Sequence, residues 1–129
     1  MRLNNECIRN SLLEIESKLE FDENLESEEL LKFETCKKFG NEEFLYTLSK
    51  LNEAGFIVFN TTKADNNSYY WFNVSEITWN GHQYLDNVRD PIVWKETKKV
   101  LKNFESVSIS FVSNVAAEIL SNLIKQYMN

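Results

Sequence analysis

Residues 48–60 read LSKLNEAGFIVFN, and the pattern of apolar residues changes within this stretch. Leu48 and Leu51 are three positions apart, as on one face of a helix, whereas the run FIVF is β-branched and aromatic, which is typical of a strand. Gly55 stands between the two patterns, where a glycine commonly ends a helix. The stretch therefore predicts a helix that ends at Gly55 and a strand that follows at once.

Three helices are predicted for the residues up to this glycine. Apolar residues recur at spacings of three and four over residues 4–20, and Asn4 or Asn5 can cap this first helix. A polar connection separates it from a second helix, which is expected to begin at the cap Ser27 and to continue through SEELLKFETCKKF. Asn41 is expected to cap the third helix, EEFLYTLSKLNEAG.

A β-hairpin and further helices are predicted for the residues that follow. YYWFNVSEIT, residues 69–78, alternates apolar and polar side chains and is interpreted as the partner strand, with TTKADNNS as the polar loop between the strands. Thr78 is expected to cap a helix that Asp90 and Pro91 end, because proline interrupts one helix but suits the first turn of the next.

Three helices followed by a hairpin form the winged-helix (helix-turn-helix) arrangement, in which the third helix takes the recognition position and the hairpin is the wing. We therefore expect a mainly α protein with a small β-hairpin, of the α+β class. Residues 1–90 are predicted to form a winged-helix-like domain. Residues 91–129 are predicted to form a C-terminal helical appendage that packs on this domain or forms a dimer interface, and its last helix spans residues 108–127.

Negative charge is concentrated in the first half of the chain, whose net charge is −6. Residues 1–60 carry 7 Lys and Arg against 13 Asp and Glu, whereas residues 61–129 carry 7 of each. An acidic half is repelled by the phosphate backbone of a nucleic acid. The charge distribution therefore weighs against nucleic acid as the main partner.

The composition weighs against several classes of protein. The amino terminus lacks the apolar core of a signal peptide, and no run of 18 apolar residues could span a membrane, so a cytoplasmic protein is expected. Cys7 and Cys36 lie far apart, without a neighbouring cysteine or histidine, which predicts buried reduced thiols and no metal site. No motif for a cofactor is present.

The stretch ITWNGHQYLDNVRDPIVW, residues 77–94, contains the only His and the only Pro of the chain. On a helix, His82 and Asp86 lie one turn apart, and such a pair could act as a general base. However, the chain has no nucleophile motif, no second His and no glycine-rich anion cradle. We therefore predict that the stretch is a structural joint between the wing and the appendage, without catalytic residues.

Each conspicuous residue of the stretch has a structural role in this interpretation. Thr78 caps the helix and Gly81 allows close approach to the hairpin. Asp86 pairs with Arg89, and His82 is a structural residue that is expected to hydrogen-bond to Asp86. Among the apolar residues, those expected to cover the three-helix core or to anchor the next helix are Trp79, Tyr84, Leu85, Val88, Ile92 and Trp94.

Two charged surfaces could bind a partner. The residues predicted for an acidic surface that binds protein are Glu28, Glu29, Glu42 and Glu43. The residues predicted to contact nucleic acid, if DNA is the partner, are Lys50, Lys63, Lys95, Lys98, Lys99 and Lys102. The last four lie on one helical stripe, which is also typical of the solvated face of an amphipathic helix.

Two segments resemble known families. LSKLNEAGFI resembles the end of the third helix and the start of the wing in winged-helix proteins, and ITWNGHQYL resembles their closing motif through Thr78, Gly81 and Leu85. From residue 77 onward the chain is similar to a family of small uncharacterised proteins, a domain of unknown function encoded mostly in bacterial prophages and other mobile elements. This resemblance implies a fold and a genomic setting, and it implies no catalytic residue.

The sequence therefore favours a non-enzymatic winged-helix binding module that acts mainly through protein contacts, on a host or defence factor or on a second copy of itself. The alternative is a transcriptional regulator that binds DNA as a dimer, with its C-terminal helix as the dimer interface. An enzyme that uses His82 and Asp86 is the third interpretation. No cofactor, metal or membrane is expected.

Overall fold

The chain forms seven helices and three strands in a computed structural model that describes residues 1–63 and 69–129. The elements are α1 (Asn5–Lys18), β1 (Leu25–Glu26), α2 (Ser27–Leu31), α3 (Glu34–Phe39), α4 (Asn41–Glu53), β2 (Ile57–Lys63), β3 (Tyr69–Ile77), α5 (Trp79–Val88), α6 (Pro91–Leu101) and α7 (Ile109–Met128). The predicted class, mainly α with a small antiparallel sheet, is confirmed. Residues 64–68, most of the predicted hairpin loop, lie outside the described residues.

The chain divides into two compact units, Met1–His82 and Gln83–Asn129, which we call the N-terminal and C-terminal units. The division falls within α5, whereas the sequence places it between residues 90 and 91. The largest fully buried side chains of the N-terminal unit come from its helices, its sheet and the connection between α2 and α3: Ile8, Leu12, Ile15, Leu30, Phe33, Phe44, Leu48, Leu51, Ile57 and Val74.

Helix α1 begins as the sequence predicts. The side chain of Asn4 accepts hydrogen bonds from the backbone N–H groups of Glu6 (2.9 Å) and Cys7 (3.3 Å), so the first turn is capped. Residues at spacings of three and four form the buried face: Cys7, Ile8, Leu12 and Ile15. The thiols of Cys7 and Cys36 are free and buried, and burial raises the pKa of both.

The predicted second helix is wrong in two respects. It is interrupted at Phe33, whose extended backbone separates α2 from α3, and the buried ring of Phe33 packs against that of Phe44 with 5.7 Å between centroids. Its cap is Glu26, which forms a reciprocal capping box with Glu29. Ser27 instead donates its hydroxyl to the Phe72 carbonyl (2.6 Å) and accepts from the Phe72 N–H (2.9 Å).

Helix α3 is capped from a distance by Glu14 of α1. The Glu14 carboxylate accepts from the N–H groups of Glu34 and Thr35, both at 2.9 Å, and from the Thr35 hydroxyl at 2.7 Å. Lys18 lies 2.7 Å from the same carboxylate. Burial raises the pKa of Glu14, but the hydrogen bonds from Lys18, Thr35 and Glu34 outweigh burial, so its pKa lies below the ordinary value.

Helix α4 follows α3 directly, and Gly40 rather than Asn41 takes the cap position. Gly40 has a φ of 90°, a conformation that favours glycine, and because glycine has no side chain the first turn receives no side-chain cap from it. Asn41 instead accepts a hydrogen bond from the thiol of Cys36 (3.0 Å), so the predicted cap is wrong. Gly55 ends the helix as predicted, with a φ of 78°.

The sheet contains the predicted hairpin and one strand that sequence reasoning missed. The strands lie in the order β1-β3-β2, and both pairs are antiparallel. Strand β1 falls in the predicted polar connection, where Leu25 pairs with Val74. The register between β2 and β3 shifts twice, between Val58 and Phe59 and between Thr62 and Lys63, so β3 is irregular and does not alternate as predicted.

The C-terminal unit is built on the packing of α6 against α7. Asp90 caps α6 by accepting from the N–H groups of Ile92 (2.8 Å) and Val93 (3.1 Å), and Pro91 lies in the first turn as predicted. Ser108 caps α7 by accepting from the N–H of Phe111 (3.4 Å).

Candidate functional site

The stretch that the sequence predicts to be a joint begins where β3 passes into α5. The hydroxyl of Thr78 donates to the carbonyl of Gly55 and accepts from the N–H of Gly81 (3.1 Å). The N–H of Thr78 donates to the carbonyl of Phe56 at 3.0 Å. Thr78 therefore caps α5 and also holds the start of α5 against the end of α4.

Gly81 is required at this joint by space rather than by backbone conformation. A Cβ atom at this position would lie 2.1 Å from the carbonyl oxygen of Phe56 and 2.8 Å from a side-chain carbon of Ile77. Both distances are far inside van der Waals contact. The prediction that Gly81 allows a close approach to the hairpin is confirmed.

The apolar residues of the joint divide into two groups. Those that are buried are Tyr84, Leu85, Val88 and Trp94. Trp79 and Ile92 are 77% and 63% exposed, so the prediction that they cover the core or anchor the next helix is wrong. Residues 79 and 92 each lie in the first turn of a helix, and their side chains point away from the face that the later residues bury.

His82 lies against Glu16 rather than Asp86. Its Nδ1 is 3.8 Å from the Glu16 carboxylate, and its side chain is 48% exposed. Asp86 pairs instead with Arg89 at 3.1 Å, as predicted. The predicted hydrogen bond between His82 and Asp86 is therefore wrong, because the imidazole lies beside Glu16 of α1 and Asp86 is paired with Arg89.

An acidic groove of about 470 Å³ opens beside His82. Residues 19–24 after α1 form one wall and residues 75–77 at the end of β3 form the other, and we call this feature the acidic groove. The carboxylates that line it are Glu16, Glu20, Asp22, Glu23 and Glu76. Its lining contains no Lys or Arg among the described residues, so its charge is strongly negative.

An exposed aromatic ring stands at the edge of the acidic groove. Phe21 is 92% exposed, and the next residue, Asp22, has a φ of 62°, which Asp tolerates better than most residues. Sequence reasoning missed this feature because residues 21–27, FDENLES, are interpreted only as a polar connection after the first helix. The signal was a phenylalanine within a run of acidic residues, EFDE at positions 20–23.

The four predicted acidic residues occupy the first turns of two helices. Glu28 and Glu29 lie in the first turn of α2, and Glu29 belongs to its capping box. Glu42 and Glu43 lie in the first turn of α4. Negative charge at the start of a helix stabilises the helix through its dipole. All four glutamates therefore have a structural role in addition to any role in binding.

The predicted nucleic-acid residues lie on α4, at the end of β2 and along α6. Lys50 lies 2.8 Å from Glu53, and this hydrogen bond raises the pKa of Lys50. Lys63 lies 5.9 Å from the ring centroid of Tyr69, and Asp65, two positions further along the sequence, lies outside the described residues. Exposed lysines of α6 and its C-cap residue form one stripe: Lys95, Lys98, Lys99 and Lys102. Lys99 in this stripe is 3.1 Å from Glu96.

Within residues 1–63 and 69–129, no group of three or more His, Cys, Asp or Glu side chains could hold a metal ion. None of the helices in this described part of the chain is long and apolar enough to cross a bilayer.

The comparisons with known proteins point to one family. Residues 2–108 match the family described as "Hypothetical protein (DUF2513)", in agreement with the predicted resemblance to a domain of unknown function. An uncharacterised protein of Haemophilus influenzae is 27% identical over 127 residues, which are 96% of this chain and 99% of that protein. No solved structure matches the chain significantly.

Proposed function

Because the chain belongs to the DUF2513 family of hypothetical proteins, whose description assigns no activity, we propose from its own surfaces that it is a non-enzymatic winged-helix binding module. In this proposal it works in the cytoplasm, mainly through protein contacts, and its partner is a host or defence factor that presents basic and apolar residues. Its origin in a phage or other mobile element is part of the same proposal.

The order of elements supports a winged-helix arrangement. Helix α1, the short strand β1, helices α2 to α4 and the hairpin of β2 and β3 follow one another in the N-terminal unit, and β1 adds a third strand to the hairpin. Winged-helix domains likewise combine a helical core with a small antiparallel sheet. The third predicted helix, α4, then takes the recognition position.

The acidic groove is the observation that carries the proposal of a protein partner. Its five carboxylates repel phosphate, and they attract Lys and Arg side chains. Phe21 at its edge is 92% exposed and offers the kind of aromatic side chain that dominates binding energy at protein interfaces. A basic amphipathic segment of another protein would match both features.

The surface of α4 adds support. Its first turn is acidic, with Glu42 and Glu43, and its one lysine, Lys50, is paired with Glu53 at 2.8 Å. A helix that reads DNA needs free cations near the phosphates, since phosphate contacts provide much of the affinity. The proposal is non-enzymatic because the two candidate catalytic residues do not pair with each other. His82 lies beside Glu16, and Asp86 pairs with Arg89.

The second candidate function is a DNA-binding regulator that acts as a dimer. The exposed stripe of Lys95, Lys98, Lys99 and Lys102 on α6 favours it, because four cations lie on one face of a single helix. In that case the C-terminal unit rather than α4 would provide the phosphate contacts.

Fluorescence anisotropy separates the two candidates. The protein is titrated into a labelled peptide of alternating Lys and Leu residues and into labelled mixed-sequence duplex DNA, each at low and at physiological salt. The proposal expects peptide binding, and it expects the double variant Glu20→Lys/Glu23→Lys to abolish that binding. The matched control is Glu105→Lys/Glu118→Lys, which makes the same change of charge at exposed positions outside the acidic groove.

Three results would contradict the proposal of a protein partner. The first is no peptide binding at low salt, and the second is equal loss of binding in the groove variant and in the control. The third is DNA binding that falls steeply with salt and is weakened by Lys98→Ala and Lys102→Ala, which would establish the second candidate.

A further inference from the structure

Helix α7 extends well beyond the helix on which it packs. It has 20 residues and α6 has 11, and with a rise of about 1.5 Å per residue α7 is nearly twice as long. The buried residues of α7 are Val112 and Ala116, which both lie in its first half. The second half of α7 is therefore left largely uncovered by the described part of the chain.

The apolar face of α7 continues through this uncovered half. We call it the distal stripe, and its residues are Ile119, Leu120, Leu123, Ile124 and Tyr127. The first three are half-buried, whereas Ile124 is 49% and Tyr127 is 92% exposed. Exposure thus rises along the stripe toward residue 127.

The distal stripe carries no charge. The two charged residues of α7, Glu118 and Lys125, are seven positions apart and so lie on one face of the helix. At about 100° per residue, that face lies roughly opposite Leu123. The apolar face is therefore separated from both charges.

We propose that a second copy of this chain covers the distal stripe, with the two α7 helices antiparallel about a two-fold axis near Leu123. Pairing the stripe with itself matches two surfaces of equal length and buries no ionised group. In this arrangement Tyr127 of one copy lies against Ile119 of the other, and the Leu123 side chains of the two copies meet. The pairing does not depend on the partner proposed for the acidic groove.

The available area suits a dimer of modest affinity. Tyr127, at 92% exposed, offers roughly 180 Å². Together with the other members of the distal stripe and Met128, each copy would bury about 500 to 600 Å², so the total would approach the lower end of specific interfaces, about 1,200 Å². We therefore expect a dissociation constant in the micromolar range.

Sedimentation equilibrium of the full chain, from micromolar to several hundred micromolar concentration, tests the pairing. The wild-type protein is expected to dimerise, and Tyr127→Asp is expected to raise the dissociation constant at least about 30-fold, because it places a carboxylate in an apolar interface. Phe21→Asp is the matched control, since Phe21 is also 92% exposed but lies in the N-terminal unit. Circular dichroism checks that both variants fold.

Disulfide trapping tests the antiparallel geometry. Under oxidised glutathione, Leu123→Cys is expected to form a covalent dimer, because residue 123 lies on the proposed two-fold axis. Tyr127→Cys is expected to stay uncrosslinked, because the two residues 127 would be about 12 Å apart along the helices, beyond disulfide reach. The native cysteines are buried, so the wild-type protein provides the background.

Four outcomes would overturn the proposal. They are a monomer throughout the concentration range, a dimer that Tyr127→Asp leaves intact, a dimer that Phe21→Asp weakens equally, and trapping through Tyr127→Cys as readily as through Leu123→Cys. The last outcome would indicate parallel helices.

Discussion

Gly81→Ala is expected to destabilise the N-terminal unit by about 2 to 3 kcal/mol. The added Cβ would lie 2.1 Å from the carbonyl oxygen of Phe56, a backbone atom that cannot rotate away. The same carbonyl accepts the hydrogen bond from the N–H of Thr78 at 3.0 Å, so a shift that relieves the clash also disturbs this bond.

The magnitude follows from three contributions. Overpacking at a rigid site costs about 1 to 3 kcal/mol, and a weakened hydrogen bond adds about 1 kcal/mol. Alanine has a higher helix propensity than glycine, so the substitution also stabilises the helix by about 1 kcal/mol. Because the clash distance is so short, we take overpacking at the upper end of its range, and the net loss is then about 2 to 3 kcal/mol.

Gly55→Ala is the matched control. Gly55 has a φ of 78°, but a Cβ added there would meet nothing within 4 Å, so the substitution tests conformation without a clash. Its expected cost is about 1 kcal/mol, because a left-handed alanine is strained while the unfolded chain loses some entropy. Urea denaturation followed by far-ultraviolet circular dichroism measures the free energy of unfolding of both variants. A loss of stability in Gly81→Ala no greater than that in Gly55→Ala would contradict the expected clash with Phe56.

Three other predictions concern the carboxylate cap, the tryptophans and the thiols. Glu14→Gln should lower the free energy of unfolding at pH 7 by about 2 kcal/mol, more than Glu20→Gln at an exposed position. Because the folded pKa of Glu14 is depressed, this stabilisation is present above its unfolded pKa and is lost as pH falls through the folded pKa. In urea denaturation, the difference in free energy of unfolding between wild type and Glu14→Gln should therefore shrink in acid. Trp94→Ala should cost about 3 to 5 kcal/mol and Trp79→Ala under about 1 kcal/mol, since only the first is buried; equal thermal unfolding shifts would contradict this. Both cysteines should resist a thiol reagent at pH 8 until the protein unfolds, because they are buried and burial raises their pKa, and rapid labelling of the native protein would count against it.

The sequence alone predicted the features that depend on residues within about one helical turn of one another. The cap at Asn4, the stop at Gly55, the cap at Thr78 and the proline in the first turn of α6 all involve partners close in sequence. The requirement for Gly81 was also predicted, because a glycine inside a helical pattern indicates close approach of another segment.

The errors arose where a distant residue competes with a local partner. Glu14 caps α3 across about twenty positions, and Ser27 binds the backbone of Phe72 instead of capping its own helix. His82 meets Glu16 of α1 instead of Asp86 one turn away. Local spacing predicts which partners are within reach, but it cannot rank them against partners that the tertiary structure brings closer.

The candidate site shows the same division. From its sequence, the protein was expected to be acidic in its first half, mainly α with a small sheet, and without a recognisable catalytic motif. Only the tertiary structure placed residues 19–24 beside the end of β3, so that scattered carboxylates line one groove and Phe21 stands exposed at its edge. Composition and local periodicity are properties of neighbours along the chain, whereas a groove depends on which distant segments pack together, and that is decided by the burial of the whole core.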